Sequence, residues 1–111
     1  AGTVGWFDNI PAIAVLVGRQ RAFYDIANRH SIYVDGTLSV MPFIYALETL
    51  GLSSCIINWS DDGKREKEMI KQLNLDKDEK VVLSIAIGYA DSEGKVAYSK
   101  RKNIEEVIKY L

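Results

Sequence analysis

The chain has 111 residues, the size of one domain or of part of one. Hydrophobic residues make up 48% and charged residues 26%, a globular composition that excludes a disordered tail or a fibrous repeat. The 14 Lys and Arg residues oppose 15 Asp and Glu residues, so bulk charge does not favour a nucleic-acid or anionic-membrane partner. No apolar run approaches the roughly 18 residues that a membrane span requires.

The scarcity of reactive side chains excludes several kinds of site. Cys55 is the one cysteine and His30 the one histidine, which excludes an internal disulfide and a metal site of several Cys or His ligands. A Ser-His-Asp triad would have to use His30, and the sequence has no Gly-x-Ser-x-Gly motif. We therefore expect a bound cofactor to carry any chemistry. Ala1–Trp6 has no basic stretch before an apolar one, so it does not predict a secretory signal and is typical of the interior of a protein.

The first half of the chain predicts one strand and two helices. The apolar run Ala12–Val17 predicts a strand buried on both faces. Arg19–Arg29 mixes charged and apolar residues at helical spacing, which predicts a short helix. Thr37–Leu50 predicts a longer helix, with Asp35 as its N-cap and Gly51 as the glycine that follows its end.

The helix predicted over Thr37–Leu50 is apolar on nearly every side, and Pro42 should kink or loosen its first turns. A helix that is apolar all round must be buried on nearly all sides. This burial is difficult within 111 residues without a partner chain or a further segment. The apolar residues are Leu38, Met41, Tyr45 and Leu50 on one side, with Val40, Phe43, Ile44 and Leu47 covering most of the rest.

The second half predicts two further strands and two helices. Ser53–Asn58 is rich in β-branched residues and predicts an extended segment, and Val81–Gly88 predicts a second strong strand. The short connections and the absence of a Gly-rich phosphate loop in a βαβ unit favour antiparallel strands in an α+β fold over a doubly wound sheet. A helix is predicted to end at Leu73, with Ser60, Asp61 or Asp62 as its N-cap and a solvated face at Asp61–Lys67. A charged loop at Asp76–Lys80 and a turn at Asp91–Lys95 are also predicted. The last predicted element is a helix at Ile104–Leu111, with Asn103 and Glu106 as its capping box.

Five short segments follow one another in a recognisable order and spacing. They are Tyr33–Gly36, Ala46–Cys55, Asn58-Trp59, Ile87-Gly88 and Val96–Arg101. Together they resemble the carboxy-terminal half of a nitroreductase-family flavoprotein, over roughly residues 8 to 111. The resemblance implies an α+β, three-layer fold with a mainly antiparallel sheet flanked by helices. It also implies that residues 1–111 are the carboxy-terminal part of a single domain, which would lack its amino-terminal half.

The resemblance carries functional expectations. Proteins of this family are homodimers that hold FMN at the subunit interface and pass a hydride from NADH or NADPH through the flavin to an electron-poor acceptor. We therefore expect a cytoplasmic homodimer that uses FMN, NAD(P)H and a small-molecule acceptor, with no nucleic-acid, membrane or metal partner. The predicted helix Thr37–Leu50 would be the central helix of the core and of the dimer interface, which would explain its apolar character.

Arg101 is the first candidate cofactor-binding residue. In the family, an arginine at the matching position binds the FMN phosphate, and a guanidinium forms bidentate charge-assisted hydrogen bonds to phosphate. Ser99 would add a hydroxyl contact, and Lys100 and Lys102 would raise the local positive potential. Without the resemblance, the same stretch is more simply a solvated basic turn before a helix.

Three further candidates lie at the end of the segment Ser53–Asn58. Residues that match Ile56, Asn58 and Trp59 in the family lie along the isoalloxazine ring, where backbone N–H groups near the ring tune the cofactor. The alternative is a buried Trp and an Asn turn after a strand. We expect Cys55 to be a small buried hydrophobe and His30 to be a surface or capping residue. The catalytic residues and the physiological acceptor are not predicted.

Two functions from different classes remain open at this stage. The chain is either part of an FMN- and NAD(P)H-dependent oxidoreductase or a non-catalytic remnant or dimerisation module that keeps the fold without flavin. The absorbance of the purified protein distinguishes them.

Overall fold

The computed structural model describes residues 5–60 and 62–110. Three antiparallel strands form one sheet in the order β1-β3-β2, so the last strand in sequence is the central one. This arrangement confirms the α+β fold and the antiparallel pairing of the two apolar strands. The elements are β1 (Ala12–Arg19), α1 (Ser31–Thr49), β2 (Ser53–Asn58), α2 (Gly63–Leu73), β3 (Glu79–Gly88) and α3 (Ile104–Val107), with short 3-10 turns at Phe7–Asn9, Gln20–Ala22 and Ile26–Asn28.

Strand β3 is the buried strand of the sheet. Its residues from Val81 to Ala86 are all buried, because β1 and β2 pair with its two edges. Strand β1 begins at Ala12 as predicted, but the expectation that it is buried on both faces is wrong. In the described sheet β1 lies at an edge and is at most half-buried. An apolar run alone does not distinguish a central strand from a covered edge strand.

Helix α1 covers one face of the sheet. Its buried residues recur at helical spacing, and Val40 packs against Val82, Leu83 and Ile85 of β3. The helix begins six residues earlier than predicted, and Asp35 lies exposed inside it rather than capping it. The sequence pair Asp35-Gly36 imitates a helix start, but the glycine has a packing function.

Two glycines allow α1 to lie close to the sheet. A Cβ atom at Gly36 would lie 3.3 Å from a methyl group of Leu16, and one at Gly18 would lie 2.8 Å from the Cβ atom of Ile32. The second distance is shorter than real Cβ contacts allow, so α1 and β1 approach each other across a position where only hydrogen fits.

We expect Gly18→Ala to destabilise the fold by about 1–3 kcal/mol, because the added methyl group overpacks the contact with Ile32. Gly63→Ala is the matched control, since a Cβ at this first residue of α2 meets no atom within 4 Å. Urea unfolding followed by circular dichroism measures both variants. The control should be neutral or more stable by up to about 1 kcal/mol. Equal midpoints for the two variants would contradict the close approach.

The predicted short helix over Arg19–Arg29 is wrong. Strand β1 continues to Arg19, whose guanidinium Nε lies 2.7 Å from Oε1 of the buried Glu79 on β3. The other carboxylate oxygen of Glu79 accepts from the Asp76 backbone N–H at 2.9 Å. Because Glu79 is held by these partners, β3 already begins at Glu79. The predicted loop Asp76–Lys80 is therefore two residues too long and ends at residue 78.

An exposed arginine extends the same group of ion pairs. Arg21 forms contacts of 2.9 Å with Asp76 and 3.2 Å with Asp78. The hydrogen bond to Asp76, with the nearby charge of Asp78, raises the pKa of Arg21 above its ordinary value. The guanidinium therefore stays charged. At this end of the sheet, ion pairs rather than a helix connect residues 19–21 to residues 76–79.

The predicted caps after α1 and before α2 are confirmed at Gly51 and Asp62, whereas the predicted N-cap of α1, Asp35, is wrong. Gly51 has φ +73°, and the backbone N–H groups of Gly51 and Leu52 donate to Glu48 and Leu47, which is the Schellman arrangement. Of the three proposed caps for α2, Asp62 accepts from the backbone N–H groups of Lys64 and Arg65; Asp61 lies outside the described residues. Helix α2 ends at Leu73, as predicted.

The carboxy-terminal part of the chain forms an exposed arm, which we define as residues 89–110. Every residue of the arm is exposed. The predicted turn is present, since Gly94 donates to the Asp91 carbonyl at 3.0 Å. The capping box of Asn103 and Glu106 is also present, but α3 ends at Val107; Leu111 is outside the described residues.

The arm makes the molecule more extended than a packed domain of its length. The Cα radius of gyration is 16.8 Å, whereas a compact 111-residue domain has about 13 Å. In the described part of the chain, no helix combines the length and the apolar character needed to cross a membrane.

Candidate functional site

A cavity of about 580 Å³ lies between the amino-terminal half of α1, the end of β2 and the start of α2. We name it the β2-end cavity. Its volume is in the range of small-molecule and cofactor sites. It is lined by His30, Tyr33, Thr37, Ile56, Asn58, Trp59, Ser60, Glu66, Val81, Val82 and Leu83.

Strand geometry places two of the predicted residues in this cavity. Alternate residues of a strand point to the same face, and Ile56 and Asn58 both line the cavity. Ile57 lines a different cavity, whose lining also includes Asn58, Trp59 and Ser60. Strand β2 ends at Asn58, opposite Leu83, whereas β3 continues for four more residues. Trp59 and Ser60 then pass beside the uncovered edge of β3 and complete the wall.

The lining of the β2-end cavity suits a flat aromatic ligand with a polar edge. Its floor consists of the buried apolar residues Val81–Leu83, and the half-buried Trp59 supplies an aromatic surface. Asn58 has an amide that both donates and accepts hydrogen bonds. An isoalloxazine ring has this same combination of a planar apolar body and polar edge atoms, so these residues fit the ring half of FMN.

The residues predicted for the phosphate half lie elsewhere. Ser99 and Arg101 are exposed in the arm, and Nη1 of Arg101 donates to Oγ of Ser99 at 3.2 Å. Neither side chain lines the β2-end cavity. Of the five predicted cofactor residues, the structure therefore brings together Ile56, Asn58 and Trp59, and leaves the two arm residues apart from them.

Sequence reasoning missed one row of residues in this cavity. His30, Tyr33 and Thr37 are spaced three and four residues apart, which places them on one face of α1. His30 is exposed, as predicted for a surface residue. It also occupies the N-cap position of α1, but its side chain makes no capping hydrogen bond. The spacing itself is a signal in the sequence, and the late predicted start of α1 concealed it.

The expectation that Cys55 is a small buried hydrophobe is wrong. Cys55 is exposed and lies on the opposite face of β2 from Ile56, beside a second cavity of about 400 Å³ that Ser53 and Ser54 also line. Strand β2 is an edge strand in the described sheet, so this face has less cover than the central strand.

The chain belongs to the nitroreductase family. The family's sequence model matches residues 1–89, which include β1, α1, β2, α2 and β3 and all residues of the β2-end cavity. The match ends where the arm begins. No curated protein matches the chain.

Solved structures share the fold. The protein ydfN of Bacillus subtilis, assigned as a nitroreductase, superposes with a TM-score of 0.64 at 25% identity over 75% of this chain and 38% of its own. An FMN-dependent nitroreductase of Clostridium difficile R20291 gives 0.69 at 20% identity, with 92% and 58% covered. A protein of Clostridium acetobutylicum assigned as an NADH oxidase gives 0.63 at 14% identity, with 87% and 56% covered. The chain thus spans about two fifths to three fifths of these proteins.

Proposed function

We propose that the chain works as part of an FMN-dependent oxidoreductase that passes a hydride from NADH or NADPH through the flavin to an electron-poor small molecule. The observation that carries the proposal is the β2-end cavity, formed within a nitroreductase-family fold by Ile56, Asn58 and Trp59. Membership of the family supports an oxidoreductase role in general. The FMN dependence of the Clostridium difficile relative supports the choice of cofactor.

The residues of the cavity would act mainly by binding and orientation. Bound FMN would supply the hydride acceptor and donor, a chemistry that belongs to the cofactor rather than to the side chains. The apolar floor at Val81–Leu83 would exclude water from one side of the ring. Trp59 would limit the tilt of the ring, and the Asn58 amide would bond to its polar edge.

The decisive experiment is titration of the purified protein with FMN, followed by anaerobic addition of NADH or NADPH. We expect saturable quenching of flavin fluorescence and bleaching of the flavin absorbance by a nicotinamide donor. Ile56→Ser should weaken FMN binding, whereas Cys55→Ser, on the adjacent residue of the opposite face, should leave it unchanged. Absence of FMN binding by the wild-type protein, or equal weakening by both variants, would contradict the proposal.

One observation favours the second function, a non-catalytic module that keeps the fold without flavin. The basic residues proposed for the phosphate are exposed in the arm and do not reach the cavity. A protein that purifies colourless, binds no FMN and still forms a stable oligomer would support this second function.

We also propose that the protein is a homodimer whose contact includes α1. The side of α1 opposite the sheet presents an exposed apolar stripe of Val34, Leu38, Met41 and Tyr45. These residues are spaced at intervals of three and four, so they lie on one face. A contiguous apolar face of this kind marks an interaction site, and a second copy of α1 would cover it with an equally apolar face.

Leu38→Asp should convert the dimer into a folded monomer. Leu38 is 70% exposed in the described chain, so the charge costs little in the monomer, but in the dimer it would be buried without a partner. Light scattering coupled to gel filtration measures the mass, and circular dichroism checks that the helices remain. Gln72→Asp, an equal change of charge on the polar side of α2, is the control. A dimer of unchanged stability in Leu38→Asp would exclude this face.

A further inference from the structure

Among the described residues, helix α2 is joined to the sheet by one polar side-chain contact. Nζ of Lys80 on β3 lies 2.7 Å from Oε1 of Glu66 on α2. Within residues 5–60 and 62–110, the other polar side-chain contacts of α2 stay within the helix and its cap at Asp62. The position of α2 against the sheet therefore depends strongly on this ion pair.

Apolar packing does little to replace the ion pair. Met69 and Leu73 of α2 face Ile13, Val15 and Ile57 of the sheet across a cavity of about 440 Å³. Leu73 keeps 41% of its surface exposed beside this cavity, so it gains only part of the stabilisation that close packing would give it. The apolar side of α2 thus lies against the sheet loosely, which leaves the ion pair as the closest connection.

The Glu66–Lys80 pair is more buried than the ion pair of Arg21 with Asp76. The side chains of Lys80 and Glu66 are 33% and 23% exposed, against 55% and 62% for Arg21 and Asp76. Water screens a partly buried pair less than an exposed one. Removing one partner would leave the other charge partly buried without its counterion.

The pair lies at the wall of the β2-end cavity. Glu66 lines the cavity directly, and Trp59 and Ser60 are the first two residues of the connection from β2 to α2. Pairing with β3 holds one end of this connection at Asn58, and the Glu66–Lys80 pair holds the helix that follows it. The conformation of Trp59 is thus determined between two anchored elements.

We propose that Glu66 and Lys80 are positioning residues: their ion pair holds α2 so that Trp59 keeps its place in the wall of the β2-end cavity. For its effect on the cofactor, this inference rests on the proposed FMN function. Its effect on Trp59 does not depend on flavin, so the two can fail separately.

The test uses Trp59 as its own probe. The chain has two tryptophans, so Trp6→Phe leaves Trp59 as the one indole and serves as the parent protein. We compare Glu66→Gln, Lys80→Met and the charge-swapped pair Glu66→Lys with Lys80→Glu. Asp76→Asn, which breaks an ion pair outside the cavity lining, is the control. The measurements are acrylamide quenching of Trp59 fluorescence, FMN titration, and circular dichroism to confirm folding.

We expect either single variant to raise the quenching of Trp59 about twofold and to weaken FMN binding about fivefold, the size of effect that follows from losing one partly buried ion pair. The charge swap should restore most of both quantities, and the control should match the parent. Unchanged Trp59 quenching in both folded single variants would overturn the inference, and so would a charge swap that restores nothing. A parent protein that binds no FMN would refute the proposed function while the Trp59 results still decide the role of the pair.

Discussion

Val40→Asp should unfold the chain. Val40 is 3% exposed and packs against Val82, Leu83 and Ile85 of the central strand. An aspartate there would either bury an unpaired carboxylate or push α1 away from the sheet, at a cost of about 3–5 kcal/mol. This cost is a large fraction of the roughly 5–15 kcal/mol that stabilises a typical domain. Circular dichroism and urea unfolding should show a lost or strongly shifted transition.

Leu38→Asp is the matched control for this prediction, because it places the same charge on the same helix but on the exposed face. Its helix content should stay near that of the wild type even where its oligomeric state changes. Similar unfolding midpoints for the two variants would mean that α1 does not pack on the sheet as the structure shows.

Arg101→Ala should weaken FMN binding by about 1.5–3 kcal/mol, the range for a hydrogen bond to a charged group, or roughly 10- to 150-fold. The prediction requires the arm to bring Arg101 to the phosphate, since the side chain is exposed and bonded only to Ser99 in the described chain. Flavin fluorescence titration measures the affinity. Arg101→Lys should recover part of the loss, because an ammonium group cannot reproduce the planar fork of a guanidinium.

Lys100→Ala is the control for Arg101. Neighbouring residues of an extended segment point to opposite sides, so Lys100 should matter less than Arg101. If wild type and Arg101→Ala bind FMN equally, or if Lys100→Ala loses more affinity, the basic stretch is a solvated turn. The assignment of FMN would then depend on family membership and the cavity alone.

The sequence predicts those elements whose signals are local. The bounds of β2, the end of α2 and the capping box of α3 all match the structure, because β-branched residues and caps act within a few positions. The start that the sequence predicts for α1 is wrong. The pair Asp35-Gly36 predicts a helix boundary, but Gly36 is a contact point with Leu16, a residue 20 positions away in the chain. A single sequence contains no sign of that distant neighbour.

The sequence predicts only part of the candidate site, because only some of its residues are close together in the chain. Ile56, Asn58 and Trp59 are close together in sequence, and strand alternation sends the first two to one face. Glu66 reaches the cavity through α2 and is paired with Lys80 across 14 residues, so no short motif indicates it. Ser99 and Arg101 belong to the exposed arm and do not line the cavity, so the sequence resemblance alone connects them with the cofactor.

The central position of β3 has a consequence for synthesis on the ribosome. Strands β1 and β2 pair only with β3 in the described sheet, and Ala12 faces Ile87 across 75 residues of chain. Both strands therefore leave the ribosome before β3 does, with apolar side chains and unpaired backbone groups exposed. Such long-range pairing makes folding slow, and it places the period of greatest aggregation risk before β3 has left the ribosome.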